Sequence, residues 1–167
     1  MSRLTEYYRG AGTDAEGRTL AATWAFTDRD LERVHDFIQW LFPLRQASQF
    51  NPDAPLLTPD DVAEFRSDPL LRQNLQRSFA VFLAFLGLQQ EGGRVGPAPD
   101  FARKQGVWLR PNHNWLRITR VLASTRILGL EEQSRALFRF LEGQRDGGHS
   151  AISADTFRYW KDAAQGD

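Results

Sequence analysis

The chain has 167 residues, with 21 basic side chains, 21 acidic side chains and no cysteine. The lack of cysteine excludes disulfides, thiolate zinc sites, iron–sulfur clusters and thiol catalysis. A formal net charge of zero at pH 7 argues against binding nucleic acid or anionic membranes through bulk charge. The length suits one domain, so the sequence predicts a single domain over residues 1–167.

The first third of the chain contains two predicted helical segments. Apolar side chains in residues 4–8 can form one helical turn. Thr27 followed three residues later by Asp30 is a weak capping box, which predicts a helix start. Apolar residues then recur at helical spacing, so we predict one continuous helix from Thr27 or Asp28 through Leu41, ended by Pro43.

Two residue pairs predict further helix starts. Thr58-Pro59 and Asp68-Pro69 each place a capping side chain before a proline at the first helical position. The second of these helices is expected to run to Leu86, with Gly87 as its C-cap. Residues 79–86 are apolar on all sides, which predicts a buried central helix. Eight apolar residues fall short of the roughly 18 that a bilayer span needs, so we expect no membrane span.

The C-terminal half is also predicted to be helical. Residues 91–99 contain three glycines and two prolines, which predicts a loop. Further helices are expected over residues 101–104, 112–128, 131–142 and 153–160, with a loop at Gly147–Gly148. No stretch alternates polar and apolar residues for long enough to require a strand. The sequence therefore predicts an all-α fold, a compact single-domain bundle of about six or seven helices.

One face of the predicted helix after residue 112 carries a stripe of cations. On a helical wheel, His113, Arg117, Arg120 and Ser124 share a narrow stripe beside the apolar face. Guanidinium groups match the oxygens of phosphate and carboxylate, so the stripe can form an anion site. Alternatively, acids from neighbouring helices pair with it, or water solvates it. Seven basic residues and one acid lie between positions 92 and 130, which makes this segment a candidate basic patch.

The start of the same helix holds two amides. Asn114 lies on the apolar face, and Asn112 precedes it by two residues. A buried amide without a partner costs about 1–3 kcal/mol, so Asn114 should be hydrogen-bonded inside the fold or to a ligand. We favour the bond inside the fold.

The predicted helix that ends before Pro43 carries a second polar group. His35 and Gln39 lie one turn apart beside the apolar face, and Trp40 lies on the opposite side. His35 can act as a general base or ligand, or serve as a structural histidine. Trp40 belongs to a core or to the wall of a pocket, as do Trp108 and Trp115. Arg45 completes the set of candidate binding or polar-network residues, and the sequence predicts no metal site and no cofactor.

Two segments match a known family. Residues 35–44, HDFIQWLFPL, resemble the first signature of the opioid growth factor receptor conserved domain, and residues 112–122, NHNWLRITRVL, resemble its second. The segment around Tyr7-Tyr8 and the stretches at 82–88 and 127–142 are also similar to the family. The chain most resembles the stand-alone, microbial-type members.

The resemblance implies a binding domain. Vertebrate members of the family are described as receptors for the pentapeptide Met-enkephalin, so we expect a ligand-binding role with an unidentified peptide or anionic small molecule as ligand. The two signatures contain the candidate polar residues, which are expected to converge as a structural network or as the floor of a ligand pocket.

The sequence leaves three function classes open. The first is the binding module. The second is a nucleic-acid or protein adaptor that uses the basic 92–130 segment, and it predicts arginines spread over an exposed face. The third is an enzyme with His35 or His113 as general base, which is the less favoured class. Because the N-terminus also lacks the apolar stretch of a signal peptide, we expect a soluble, cytoplasmic protein.

Overall fold

The computed structural model describes residues 1–147 and 151–166. Within it the chain divides into two compact units, Met1–Val81 and Phe82–Asp167. Part of the loop predicted at Gly147–Gly148 lies outside the described residues. The prediction of a single domain over residues 1–167 stays a prediction.

The described residues form ten α-helices and one two-stranded antiparallel sheet, so the predicted all-α class is confirmed as a mostly helical fold, with more helices than the six or seven predicted. The elements of the first unit are α1 (Arg3–Tyr8), α2 (Leu20–Trp24), α3 (Asp28–Arg33), α4 (Ile38–Leu41) and α5 (Pro59–Ser67). Helix α6 (Pro69–Phe85) begins in the first unit and ends in the second. The second unit continues with β1 (Leu88–Glu91), β2 (Arg94–Pro97), α7 (Phe101–Lys104), a 3-10 turn (Gln105–Trp108), α8 (His113–Ile127), α9 (Glu131–Asp146) and α10 (Ala154–Gln165).

Helix starts follow the local sequence. The capping box predicted at Thr27 is present, because the Thr27 hydroxyl accepts from the Asp30 amide and the Asp30 carboxylate accepts from the Thr27 amide, both at 3.1 Å. Thr58 caps α5 in the same way and Pro59 takes the first helical position. These starts could be predicted because each depends on residues within four positions of one another.

The predicted continuous helix over residues 28–41 is wrong. It breaks between α3 and α4, where Val34 adopts an extended backbone. Two contacts from distant residues hold the break: Arg18 donates to the Asp36 carboxylate at 2.8 Å, and Phe37 packs edge-on against Phe26. Helical periodicity persists in the sequence, but these tertiary contacts outweigh it.

The predicted loop over residues 91–99 is also wrong, because β1 and β2 form a hairpin there. Its two-residue turn is Gly92–Gly93, with φ of 55° and 78°. Two consecutive positive φ angles are what a hairpin turn of type I′ requires, and glycine adopts them without strain. The Gly-Gly pair was therefore the signal that could have predicted the hairpin.

The last two helices run further than predicted. Helix α9 continues through Gly143 to Asp146, and its last turn is held by Arg145, whose guanidinium lies 4.4 Å from the centre of the Phe157 ring. Helix α10 continues five residues beyond Trp160. The Arg126 side chain of α8 donates to the carbonyl of Ala163 at 2.8 Å, which satisfies one of the last carbonyls of α10.

Aromatic residues form the core of the first unit. Tyr7 and Tyr8 of α1 are fully buried, and Tyr8 packs edge-on against Phe65 of α5. The Tyr8 hydroxyl donates to the carbonyl of Leu41 and lies 2.9 Å from the Ser78 hydroxyl. The buried hydroxyl is thereby satisfied, as a polar group in a core must be.

Tryptophans form much of the core of the second unit. Trp115 of α8 packs edge-on against Trp160 of α10, and the Trp160 indole N–H donates to the Trp115 carbonyl at 3.1 Å. Helices α8 and α9 are joined by the buried Ser134 hydroxyl, which donates to the Leu122 carbonyl at 2.7 Å. Within α6, the aromatic and leucine residues after position 78 are buried or half-buried, whereas Ala80 and Ala84 face solvent.

Candidate functional site

The candidate residues of the first signature lie in different environments. His35 lies in the break between α3 and α4 with its side chain exposed, so its predicted place on a helix is wrong. Gln39 is 4% exposed, donates to the His35 carbonyl at 3.3 Å and accepts from the Asn51 side chain at 3.3 Å. Trp40 is buried in the core of its unit, and Arg45 is exposed.

The second signature begins with a side chain that organises the helix start. Asn112 is the N-cap of α8, and its side-chain oxygen accepts from the Asn114 amide at 3.0 Å. Its side-chain nitrogen donates to the carbonyls of Val107 and Arg110 at 2.9 and 2.8 Å. Asn112 therefore uses both ends of its amide to join α8 to the preceding segment.

Asn114 and Arg117 form a buried polar pair on α8. Each side chain is 5% exposed, and Arg117 donates to the Asn114 side-chain oxygen at 3.3 Å. Ser124, two turns further on, is fully buried, and burial lowers the pKa of the Arg120 guanidinium from its ordinary value. The predicted stripe is therefore not a solvated face.

The structure places these candidates in both units. Asn112, Asn114 and Arg117 are joined by hydrogen bonds within the second unit, together with the half-buried His113 and Arg120 on the same helix. The first-signature residues belong to the first unit. The convergence of the two signatures stays a prediction.

The three tryptophans near the signatures are core residues. Trp40, Trp108 and Trp115 are 2%, 0% and 4% exposed. The Trp115 indole N–H donates to the Val107 carbonyl at 2.8 Å, so it is used within the fold. This environment favours packing over a role as the wall of an open pocket.

The second unit contains a groove that the sequence did not predict. A concavity of about 330 Å³ lies between β2 and α9 and is lined by Gly93, Arg94, Val95, Ala136, Arg139 and Phe140. We call it the β2–α9 groove. Its volume lies near the lower end of the ~300–1,000 Å³ that is typical of small-ligand sites. Arg94 and Arg139 are exposed, whereas Val95 and Ala136 are buried. The groove therefore offers two cations beside an apolar floor.

The aromatic wall of the β2–α9 groove is held in place by its neighbours. The Phe140 ring packs edge-on against Trp108, with ring centres 5.8 Å apart, and against Phe101 at 6.2 Å. Helical periodicity placed Phe140 on α9, but only the hairpin brings Arg94 beside it. The Gly-Gly turn was the sequence signal for the hairpin, but the packing of that hairpin against α9 had no signal in the sequence.

A second concavity, of about 530 Å³, lies against α5 in the first unit and is rich in acids. Asp61 there is already engaged, because it accepts from the Ser2 hydroxyl at 2.6 Å and from the Thr58 amide at 3.0 Å. Within residues 1–147 and 151–166, no three histidine, aspartate or glutamate side chains gather as a metal-binding group. Every helix in that part of the chain is too short or too polar to traverse a lipid bilayer.

These features define a class: a mostly helical domain whose signature residues are largely inside the fold and whose second unit carries a basic groove with an aromatic wall. A family model described as the opioid growth factor receptor (OGFr) conserved region matches residues 12–163. The chain belongs to this family. The match spans residues of both compact units.

Similar proteins carry the same family name. The mouse protein named opioid growth factor receptor is 41% identical over 113 residues, which are 66% of this chain and 18% of the mouse protein. The human protein of that name is 39% identical over 113 residues, covering 66% of this chain and 16% of its own length. Mouse opioid growth factor receptor-like protein 1 is 32% identical over 120 residues, 71% of this chain and 26% of its own. The chain thus spans about a quarter or less of each of these relatives, and no solved structure matches it.

Proposed function

We propose that this chain is a ligand-binding domain that binds a short peptide, with Met-enkephalin as the first ligand to test. The observation that carries the proposal is the β2–α9 groove, which combines two exposed arginines with a fixed aromatic ring. Short peptides supply both carboxylate and apolar groups, which such a lining can bind. The word receptor in the names of the similar proteins supports the same function.

The adaptor hypothesis has weaker support. It requires the arginines of the 92–130 segment to be spread over an exposed face, and Arg94, Arg103 and Arg110 are exposed. Arg117, however, is 5% exposed, and Arg103 pairs with Asp100 at 3.3 Å. The enzyme hypothesis, with His35 or His113 as general base, stays a hypothesis; His35 is exposed and His113 is half-buried.

Titration calorimetry of the purified chain with Met-enkephalin tests the proposed function. We expect saturable binding of one peptide per chain. A thermal-shift assay should agree, because a ligand at a hundredfold excess over Kd stabilises the folded state by ~2.7 kcal/mol. A peptide of the same composition in scrambled order is the control. No heat and no thermal shift with Met-enkephalin at millimolar concentration would reject it as a ligand.

A further inference from the structure

We propose that the outer edge of β2 pairs with the C-terminal end of an extended peptide. In this arrangement the terminal carboxylate binds Arg94 and Arg139, and the last side chain, an apolar one, packs on Phe140. The inference rests on the proposed peptide-binding function. It adds where the peptide binds and which end of the peptide is recognised. All the residues involved belong to the second unit.

The β2–α9 groove runs along the edge of the hairpin. Arg94 and Val95 are consecutive residues of β2, and successive side chains of a strand point to opposite faces of a sheet. Both residues nevertheless line the groove, together with residues of α9. We take a concavity that touches both faces of a strand to lie along its edge, so a ligand in it would meet the backbone of β2.

The hydrogen-bond register shows which backbone groups face that edge. In an antiparallel pair, hydrogen-bonded and non-bonded residue pairs alternate. The Ala98 amide donates to the Gly87 carbonyl at 2.8 Å, so these two residues form a bonded pair. Counting along the register from this pair makes Gln90↔Val95 a non-bonded pair. The N–H and C=O of Val95 therefore point away from β1, toward the outer edge.

This outer edge is short, which favours the end of a peptide over a long strand. Beyond Val95, the next outward position is Pro97, which has no N–H, and its carbonyl accepts from the Gln89 side chain at 3.3 Å. One residue of β2 thus offers both a donor and an acceptor. A peptide strand that pairs with Val95 alone needs a second point of attachment. Its own terminal carboxylate, bound next to Val95, would supply one.

Two arginines are placed to bind that carboxylate. Neither Arg94 nor Arg139 forms an ion pair within the part of the chain that the structure describes. The acid opposite Arg94 in the register, Glu91, accepts from the Gln89 side chain at 3.0 Å. The two guanidinium groups can therefore form charge-assisted hydrogen bonds to a ligand carboxylate.

An NMR titration of the full, ¹⁵N-labelled chain tests the proposal. The probe is the N-acetylated tripeptide Ala-Ala-Leu with a free carboxylate, and the matched control is the same peptide with a C-terminal amide. We expect saturable shifts at the amides that line the groove, and slower hydrogen exchange of the Val95 amide when the peptide is bound. The amide peptide should bind about tenfold or more weakly, because it lacks the charge that the arginines bind.

Two substitutions locate the carboxylate. Arg94→Ala and Arg139→Ala should each weaken binding of the free acid and leave binding of the amide peptide little changed. Arg110→Ala removes an exposed arginine outside the groove and should have no effect. Well-dispersed spectra of each variant show that it remains folded. The proposal is overturned if neither peptide shifts the groove amides, if both peptides bind equally, or if Val95 exchange is unchanged.

The same spectra separate this proposal from the proposed function. If Met-enkephalin binds and shifts amides only outside the groove, the peptide-binding function stands and the site is wrong. If the acetylated tripeptide occupies the groove and Met-enkephalin does not bind, the site stands and Met-enkephalin is rejected as the ligand.

Discussion

Arg117 donates a hydrogen bond to the side-chain oxygen of Asn114 across one turn of α8, with both side chains 5% exposed. A guanidinium this deeply buried is stable only with partners, because burial without them penalises its charge. The second signature of the family therefore contains a polar pair that acts inside the fold. This pair gives the structural interpretation of the signature a direct test.

Replacing Arg117 with alanine should destabilise the folded state. The substitution leaves the buried Asn114 oxygen without this donor, which costs about 1–3 kcal/mol in free energy of unfolding. Urea denaturation followed by circular dichroism measures the loss. Arg110→Ala, an exposed arginine before the same helix, should change stability by no more than about 0.5 kcal/mol. Equal effects of the two substitutions would contradict the structural role.

Deprotonation of Tyr7 should destabilise the protein at alkaline pH. Burial raises the pKa of Tyr7 to about 12, above its ordinary value of 10.0. Because the unfolded state loses this proton first, the stability contribution is complete below pH 10 and is lost as the pH rises from 10 to 12. Two pKa units correspond to ~2.7 kcal/mol.

The measurement is the urea midpoint at pH 8 to 11, in the wild type and in Tyr7→Phe. The variant loses the hydrogen bond to Thr23, which spans 3.0 Å, so it should be less stable at pH 8. Its stability should nevertheless fall less steeply above pH 10. An identical slope in the two proteins would show that Tyr7 does not cause the alkaline loss.

Gly87 and Gly93 share a φ of 78° but differ in surroundings, so alanine at the two positions separates strain from crowding. At Gly93 a Cβ meets open space, and Gly93→Ala should cost about 1 kcal/mol through backbone strain alone. At Gly87 a Cβ would lie 3.1 Å from the backbone of Phe101, so the same change should cost about 1–3 kcal/mol more. Thermal denaturation of both variants measures the difference. Equal losses of stability would mean that α7 moves to make room for the Cβ without destabilising the fold.

Gln39 should hold the segment after α4. Its side-chain oxygen accepts from Asn51, and Gln39→Leu removes that acceptor while keeping a similar volume in the core. We expect faster hydrogen exchange over residues 46–57, measured by mass spectrometry, and a loss of about 1–3 kcal/mol in stability. Arg45→Ala, at an exposed position nearby, is the control. If hydrogen exchange over residues 46–57 is unchanged in Gln39→Leu, Gln39 does not hold this segment.

Local signals were sufficient for most helix starts and insufficient for several helix ends. The caps at Thr27, Thr58 and Asn112 act over a few residues, so the sequence reveals them directly. The break after α3 depends on Arg18 and Phe26, and the end of α9 depends on a ring in α10. Contacts between residues this far apart in the chain do not alter the helical periodicity of the segments that they affect, so the sequence pattern does not reveal them.

The same distinction applies to the candidate site. Residue types at short spacing are sufficient to identify the family, the mostly helical class and the polar character of the two signatures. The burial of Arg117 and the groove lined by Arg94, Arg139 and Phe140 could not be predicted in this way and became visible in the folded chain. Burial and concavity depend on which segments pack together, and the hairpin that carries Arg94 packs against residues of α9 that lie more than 40 residues later in the chain.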